Sequence, residues 1–205
     1  HGNPALSVTI AAFSMLGSIL FTPFNLAFWG SMNPATQAIL QEVALSPWQV
    51  FGTILVLLVV PSVLGMGIAH RYPAFATRAR KPFRILSLAF FAVFVVGGLA
   101  ANLEFFMDYV PQVALFVFLL NALALALGYF AAKLARLPEA DRRAVSFEVG
   151  IQNSGFGLAL VFNFFGGLGG MAIVAAWWGI WHLIAGTTLA SWWRKRPPAE
   201  RLVTT

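Results

Sequence analysis

The residues with the most chemistry to offer stand together at Glu148-Val149-Gly150-Ile151-Gln152-Asn153-Ser154-Gly155. Glu148 is the one acidic side chain inside an otherwise apolar segment long enough to cross a bilayer, 141–165. A carboxylate at membrane depth is costly unless a cation or hydrogen-bond donors meet it. Two carboxamides, Gln152 and Asn153, and two glycines, Gly150 and Gly155, follow it closely. A glycine in mid-helix costs about 1 kcal/mol relative to alanine. Two of them around Gln152-Asn153-Ser154 predict a break in the helix. A break frees carbonyls at the end of one half-helix and amides at the start of the next. Carbonyl oxygens beside a carboxylate suit a hard cation such as sodium. The competing reading is a shallow Glu148 paired with Arg143, five residues before it, near the membrane interface.

Other polar residues in apolar runs are sparser. His182 sits midway along the last apolar segment, in Trp177-Trp178-Gly179-Ile180-Trp181-His182-Leu183. It reads either as a neutral histidine bonded to a neighbouring helix or as a substrate contact or proton relay. Ser7, Thr9 and Ser14 line the first segment, where small polar residues serve packing. Asn121 and Asn163 are isolated, and interhelical hydrogen bonds are expected of both. No histidine pair has metal spacing, and no glycine-rich phosphate loop or Ser/His/Asp set is present. With no cysteine, disulfides, thiolate metal sites and cysteine nucleophiles are excluded.

The elements that must position these residues are membrane helices. The chain is 60% hydrophobic and 10% charged, against about 25% charged in a soluble domain. With a mean hydropathy of +0.81, it has too little polar surface to coat a soluble core. The fold class is therefore an all-α, polytopic transmembrane bundle, with lipid as its solvent. Six apolar segments read as spans of roughly 5–28, 47–69, 84–101, 110–133, 141–165 and 169–193. All thirteen Lys and Arg fall in three stretches, Arg71 to Arg84, Lys133 to Arg143 and Arg194 to Arg201. The intervening loops, 30–46, 102–109 and 166–168, carry only Glu42, Glu104 and Asp108. Six spans with both ends cytoplasmic satisfy that alternation. The net charge of +6 thus expresses topology rather than nucleic-acid binding.

Trp29 and Trp48 at the outer ends, and Trp192 and Trp193 before Arg194-Lys195-Arg196, read as aromatic belts. Trp177, Trp178 and Trp181 lie deeper and read as packing residues. Pro61, followed by Gly65 and Gly67, predicts a kink in the second segment. The tail from Pro197 to Thr205 is expected to be disordered. No basic stretch precedes the first apolar run, so no signal peptide is expected. A chain beginning at His1 reads as a fragment of a longer protein.

The stretch Glu148 to Gly155 resembles the bile acid:sodium symporter family. So do Gly2-Asn3-Pro4-Ala5-Leu6-Ser7-Val8, Phe21-Thr22-Pro23, Tyr129-Phe130-Ala131-Ala132-Lys133 and Trp181-His182, which occur in the family's order. The resemblance implies ten helices in two inverted repeats, with broken helices crossing near the midplane. The chain would begin at the fifth helix, so four N-terminal helices, with an Ala-Ser-Asn motif supplying sodium ligands, would lie upstream. It further implies that Glu148 bridges two sodium ions and that Val149, Ile151 and Gln152 lend backbone and amide oxygens to one of them. Ser7 would serve the other. Asn153 would face substrate, with His182 near it. Two positions depart from the family pattern. Ala11 replaces a threonine one turn after Ser7, and Leu183 replaces an asparagine after His182.

The expected activity is sodium-coupled symport of a small organic anion by alternating access, in a bacterial inner membrane. Its co-transported ion would be Na+, and its surroundings the lipid bilayer and the upstream helices. The alternatives are a related proton-coupled or efflux permease, with Glu148 as proton carrier, and a polytopic membrane enzyme using Glu148 and His182 as acid and base.

Overall fold

The computed structural model describes residues 2–43, 47–101 and 103–198, and the regular structure among them is entirely helical. The helices are α1 (Pro4–Ser31), α2 (Pro34–Val43), α3 (Pro47–Ile54), α4 (Val60–Arg71), α5 (Pro73–Ala101), α6 (Leu103–Leu134), α7 (Glu139–Gly150), α8 (Ser154–Phe164) and α9 (Gly169–Arg194). They fall into two compact units. One joins His1–Ser14 to Asp108–Thr205, and the other is Met15–Met107.

In the Met15–Met107 unit, the second expected segment is one apolar rod with a local defect. A π-helical turn, Leu55–Val59, joins α3 to α4. Pro61 follows in the first turn of α4. A proline ring crowds the carbonyl four residues back and lacks an N–H to bond it, so a widened turn just before it relieves both faults. The kink expected at Pro61 therefore takes the form of a π-turn. The connection expected at 30–46 is itself largely helical. The Asn33 side chain accepts from the Ala35 N–H at 2.9 Å, and Pro34 opens α2. An Asx cap followed by proline is a strong helix start, and the loop reading missed it. Tyr72 ends α4, and its N–H donates to the Ile68 carbonyl at 2.8 Å. The expected span 84–101 lies within α5.

The other unit holds all of Glu148 to Gly155. Its α6 begins at Leu103, so Glu104 and Asp108 ride helical turns where a loop at 102–109 was expected. α6 ends in a tight reversal in which Arg136 takes a positive φ of 58° and the Leu137 N–H returns to the Ala132 carbonyl at 3.0 Å. The 166–168 connection is equally tight. Gly166 and Gly167 have φ of 57° and 74°, conformations that side chains disfavour, and the Gly167 N–H closes on the Val161 carbonyl.

Among the described residues, four helical stretches are long and apolar enough to cross a membrane: Phe51–Arg71, Met107–Leu134, Glu139–Phe164 and Gly169–Arg194. The pair Pro4–Ser18 and Leu20–Ser31, bent within α1, makes a fifth. Large apolar side chains such as Phe13, Leu20, Leu64, Leu115, Phe116 and Phe130 stand exposed along these rods. Such an exterior fits hydrocarbon, where all backbone groups bond inside each helix. The protein is an integral, multi-pass membrane protein. The tail from Ala199 onward lies outside the described residues.

α6 and α7 touch through small residues. A Cβ built on Gly128 would stand 2.8 Å from the Val145 carbonyl oxygen and 2.9 Å from Ser146 Cα. One built on Gly150 would overlap the Leu125 side chain. Ser146, one turn before Gly150, donates through its hydroxyl to the Leu125 carbonyl at 2.8 Å. Ser146 and Gly150 thus form a small-xxx-small edge against which α6 lies. Because the neighbours of Gly128 are backbone atoms, nothing nearby can yield cheaply. Gly128→Val should destabilise the helix pair by about 1–3 kcal/mol, the usual cost of overpacking. Chemical denaturation in detergent micelles checks this, and a wild-type midpoint would contradict the contact.

Candidate cation site at the helix break

The chain leaves helical geometry where the glycines predict. α7 stops at Gly150, and Ile151 turns extended, with φ −104° and ψ 97°. α8 restarts at Ser154, capped by Asn153, whose side-chain oxygen accepts the Phe156 N–H at 3.0 Å. The Asn153 backbone carbonyl accepts from Gly157 at 3.2 Å. Gln152 and Asn153 are exposed, and Glu148 and Ile151 are half-buried.

The carbonyls of the last turn of α7 are not treated alike. Phe147 O accepts from Ile151 N–H at 2.8 Å. Val149 O accepts from the Gln152 Nε2 amide at 3.3 Å. Gly150 O accepts from Asn121 Nδ2 of α6 at 2.7 Å. Among the described residues, no donor reaches the carbonyl of Glu148 or of Ile151. The Glu148 carboxylate likewise has no hydrogen-bond or ion-pair partner among them. The break therefore leaves one carboxylate and two backbone oxygens, all within four residues of chain, without donors among the described residues. All are hard oxygen ligands.

Arg143 does not supply the missing charge. Its Nε donates to Glu139 Oε1 at 2.8 Å and its guanidinium reaches the Trp193 carbonyl at 3.3 Å. It also lies 5.3 Å over the Trp193 ring. The Arg143–Glu148 pairing that competed with a cation site is thus absent. Instead, Glu139 gathers Tyr129 Oη–H at 2.8 Å, Arg143 and, more loosely, Arg142 at 3.7 Å. This cluster binds the end of α6, the start of α7 and the end of α9. It also corrects the reading of Trp193 as a belt residue: Trp193 is buried against Tyr129 and Phe147, whereas exposed Trp192 stacks under Arg196 at 4.5 Å.

The start of α1 is fastened to the start of α7. Asn3 Nδ2 donates to Asp141 Oδ1 at 2.8 Å, and Asn3 N–H donates to the Ala140 carbonyl at 3.2 Å. Glu148 stands seven residues beyond Asp141, and so on the same face of α7. It lies roughly 160° round the helix from Ser146 and Gly150, which face α6. Ser7 is one turn into α1 and half-buried, and makes no hydrogen bond with Glu148, Val149, Ile151, Gln152 or Asn153. His182, 6% exposed, belongs to a buried stripe of α9 with Trp178, Gly186 and Trp193. A Cβ on Gly186 would come 2.5 Å from Ile151 Cδ1, so this stripe borders the break. The His182 Nδ1 and Trp178 Nε1 atoms are buried without partners among the described residues. Among the described residues, no three His, Asp or Glu side chains group as a metal site.

Asn121 makes the interhelical hydrogen bond expected of it, and its acceptor, the Gly150 carbonyl, is what the sequence did not name. This asparagine is 1% exposed and terminates α7 from a different helix. Its signal was present as one stripe, Asn121, Leu125 and Gly128 at i, i+4 and i+7, facing the Ser146–Gly150 edge.

A broken membrane helix with a carboxylate at the break is a feature that helical secondary transporters share. The sequence profile of the sodium bile acid symporter family matches residues 1–109, more than half of the chain, and the chain belongs to that family. Similar proteins include the uncharacterized sodium-dependent transporter YocS of Bacillus subtilis, 27% identical over 95% of this chain and 57% of that protein. The probable sodium/metabolite cotransporter BASS2, chloroplastic, of rice is 28% identical over 95% of this chain and 44% of its own length. The human ileal sodium/bile acid cotransporter is 29% identical over 75% of this chain and 42% of its own. The chain spans about half the length of these curated relatives.

Arg143 meets Glu139, a main-chain carbonyl and an aromatic face at once, so Arg143→Leu should cost about 1.5–3 kcal/mol, the range for charged hydrogen bonds. Tryptophan emission should shift to the red as Trp193 is uncovered. Unchanged stability and emission would show the cluster to be idle.

Proposed function

We propose that this chain forms the cation-binding half of a sodium-coupled symporter for a small organic anion. One observation carries this reading. The helix stops at Gly150 and leaves the Glu148 carboxylate, the Glu148 carbonyl and the Ile151 carbonyl without donors among the described residues. In hydrocarbon, each unsatisfied backbone group costs several kcal/mol. Sodium answers all three at once, as a hard cation that takes carboxylate and carbonyl oxygens. Val149 and Gln152 join the set once the 3.3 Å bond between them opens, and Ser7 serves a second ion. With the cation in place, the end of α7 is neutralised and the 151–153 segment is held still. The positive N-terminal end of α8, with Asn153 at its cap and His182 nearby on α9, then offers an anion its place. The relatives' names, sodium-dependent transporter and sodium/bile acid cotransporter, favour the same coupling ion.

The test uses the complete protein in proteoliposomes, with bile acids and small carboxylates as probes. Glu148→Gln should reduce sodium-driven uptake to background while membrane insertion stays intact. Wild-type uptake by that variant would refute the role. If the wild-type protein ignores sodium over a wide range but follows a proton gradient, the proton-coupled reading takes its place.

The basic stretches favour a cytoplasmic α6–α7 connection and an outer 166–168 turn. The chain has no cysteine, so single cysteines report this cleanly. In intact bacterial cells, an impermeant maleimide should label Leu168→Cys and spare Ala135→Cys. The reverse pattern would invert the topology.

A further inference from the structure

Gly150 closes α7 at the break, packed so closely on α6 that a Cβ there would overlap the Leu125 side chain. Without a Cβ, its peptide can rotate through conformations closed to other residues. Left alone, the Gly150–Ile151 peptide has two outlets. Its carbonyl can stay in line with the α7 axis, or it can swing toward whatever donor or cation lies near. The structure settles this from outside the helix. Asn121 reaches across from α6 and donates to the Gly150 carbonyl at 2.7 Å, in a place only 1% exposed. That carbonyl is thereby removed from the pool of free oxygens, while those of Glu148 and Ile151 remain in it. The Asn121 Oδ1 atom is itself buried without a partner among the described residues. A buried amide that satisfies one end and leaves the other bare is costly to keep for packing alone. The neighbouring bond, from Ser146 Oγ–H to the Leu125 carbonyl at 2.8 Å, already ties α6 to α7.

We propose that Asn121 is a positioning residue of the cation site: by holding the Gly150 carbonyl in line with α7, it fixes which backbone oxygens of the break face the ion. The proposal rests on the sodium reading above. Asn121 does not touch the ion. It acts through the Gly150–Ile151 peptide, whose φ of −104° and ψ of 97° at Ile151 send the chain out of the helix.

The experiment measures sodium-driven uptake of the complete protein in proteoliposomes, as half-saturating sodium concentration and as maximal rate. Melting in choline chloride is measured alongside. Two variants remove the donor, Asn121→Leu with a larger branched side chain and Asn121→Ala with a smaller one, so that one can be read if the other does not fold. A third, Ser146→Ala, breaks the adjacent bond of the same helix pair and serves as the control for stability. The expected result is a rise in half-saturating sodium of about tenfold for both Asn121 variants, the scale of one lost hydrogen bond. Maximal rate should stay within about twofold, the tenfold scale being reserved for the ion. Ser146→Ala should lower the melting temperature without moving the sodium requirement. Asn121 variants with wild-type sodium dependence overturn the proposal, whatever their melting. So does an equal rise in Ser146→Ala, which would assign the effect to the interface as a whole. A wild-type protein indifferent to sodium is a different failure. It removes the sodium reading first, and this proposal falls with it.

Discussion

A main chain that ceases to be helical within hydrocarbon must find partners for the carbonyls it releases, because no water is there to take them. The region around Glu148 is organised by that requirement. Three of the last four carbonyls of α7 have donors: one from the following backbone, one from the Gln152 side chain and one from Asn121. Among the described residues, the carbonyl left over is that of Glu148 itself, the residue that also carries the unpaired carboxylate. Charge deficit and hydrogen-bond deficit therefore coincide at one residue. Arg143, the nearest candidate to cancel the charge, is committed to Glu139 and Trp193.

Close approach between helices makes this arrangement possible. Asparagine has a short side chain, so Asn121 can cap α7 only if the two backbones nearly touch. Gly128 and Gly150 permit that distance, and Ser146 adds a second, separate hydrogen bond to α6. On the opposite side, Gly186 lets α9 come against Ile151 and brings the buried His182 alongside the break. In a bilayer, where apolar side chains gain nothing from leaving lipid for one another, small residues and interhelical hydrogen bonds carry such packing.

Much of this was legible in the sequence, because the strongest signals are local. Hydropathy gave the membrane class, and glycine density around Gln152-Asn153-Ser154 located the break to within a residue or two. The stretch around Glu148 was specific enough to show family resemblance. What sequence reading missed depends on partners distant in the chain or on competing local rules. Asn121 bonds Gly150 across 29 residues, and Arg143 meets Trp193 across 50. Nothing in the local pattern says that an isolated asparagine terminates another helix, or that Trp193 is buried while Trp192 beside it is exposed. The 30–46 segment was read as a loop because its polarity outweighed the Asn33-Pro34 start signal.

The Tyr129, Glu139, Arg143 and Trp193 cluster also has a bearing on biogenesis. Tyr129, Glu139 and Arg143 leave the ribosome close together, so Glu139 can meet both at once. Trp193 is synthesised 50 residues after Arg143. Until it arrives, the guanidinium has no aromatic face and no α9 carbonyl to rest on. Burial of that charge therefore requires the last helix, although its ion pair with Glu139 does not.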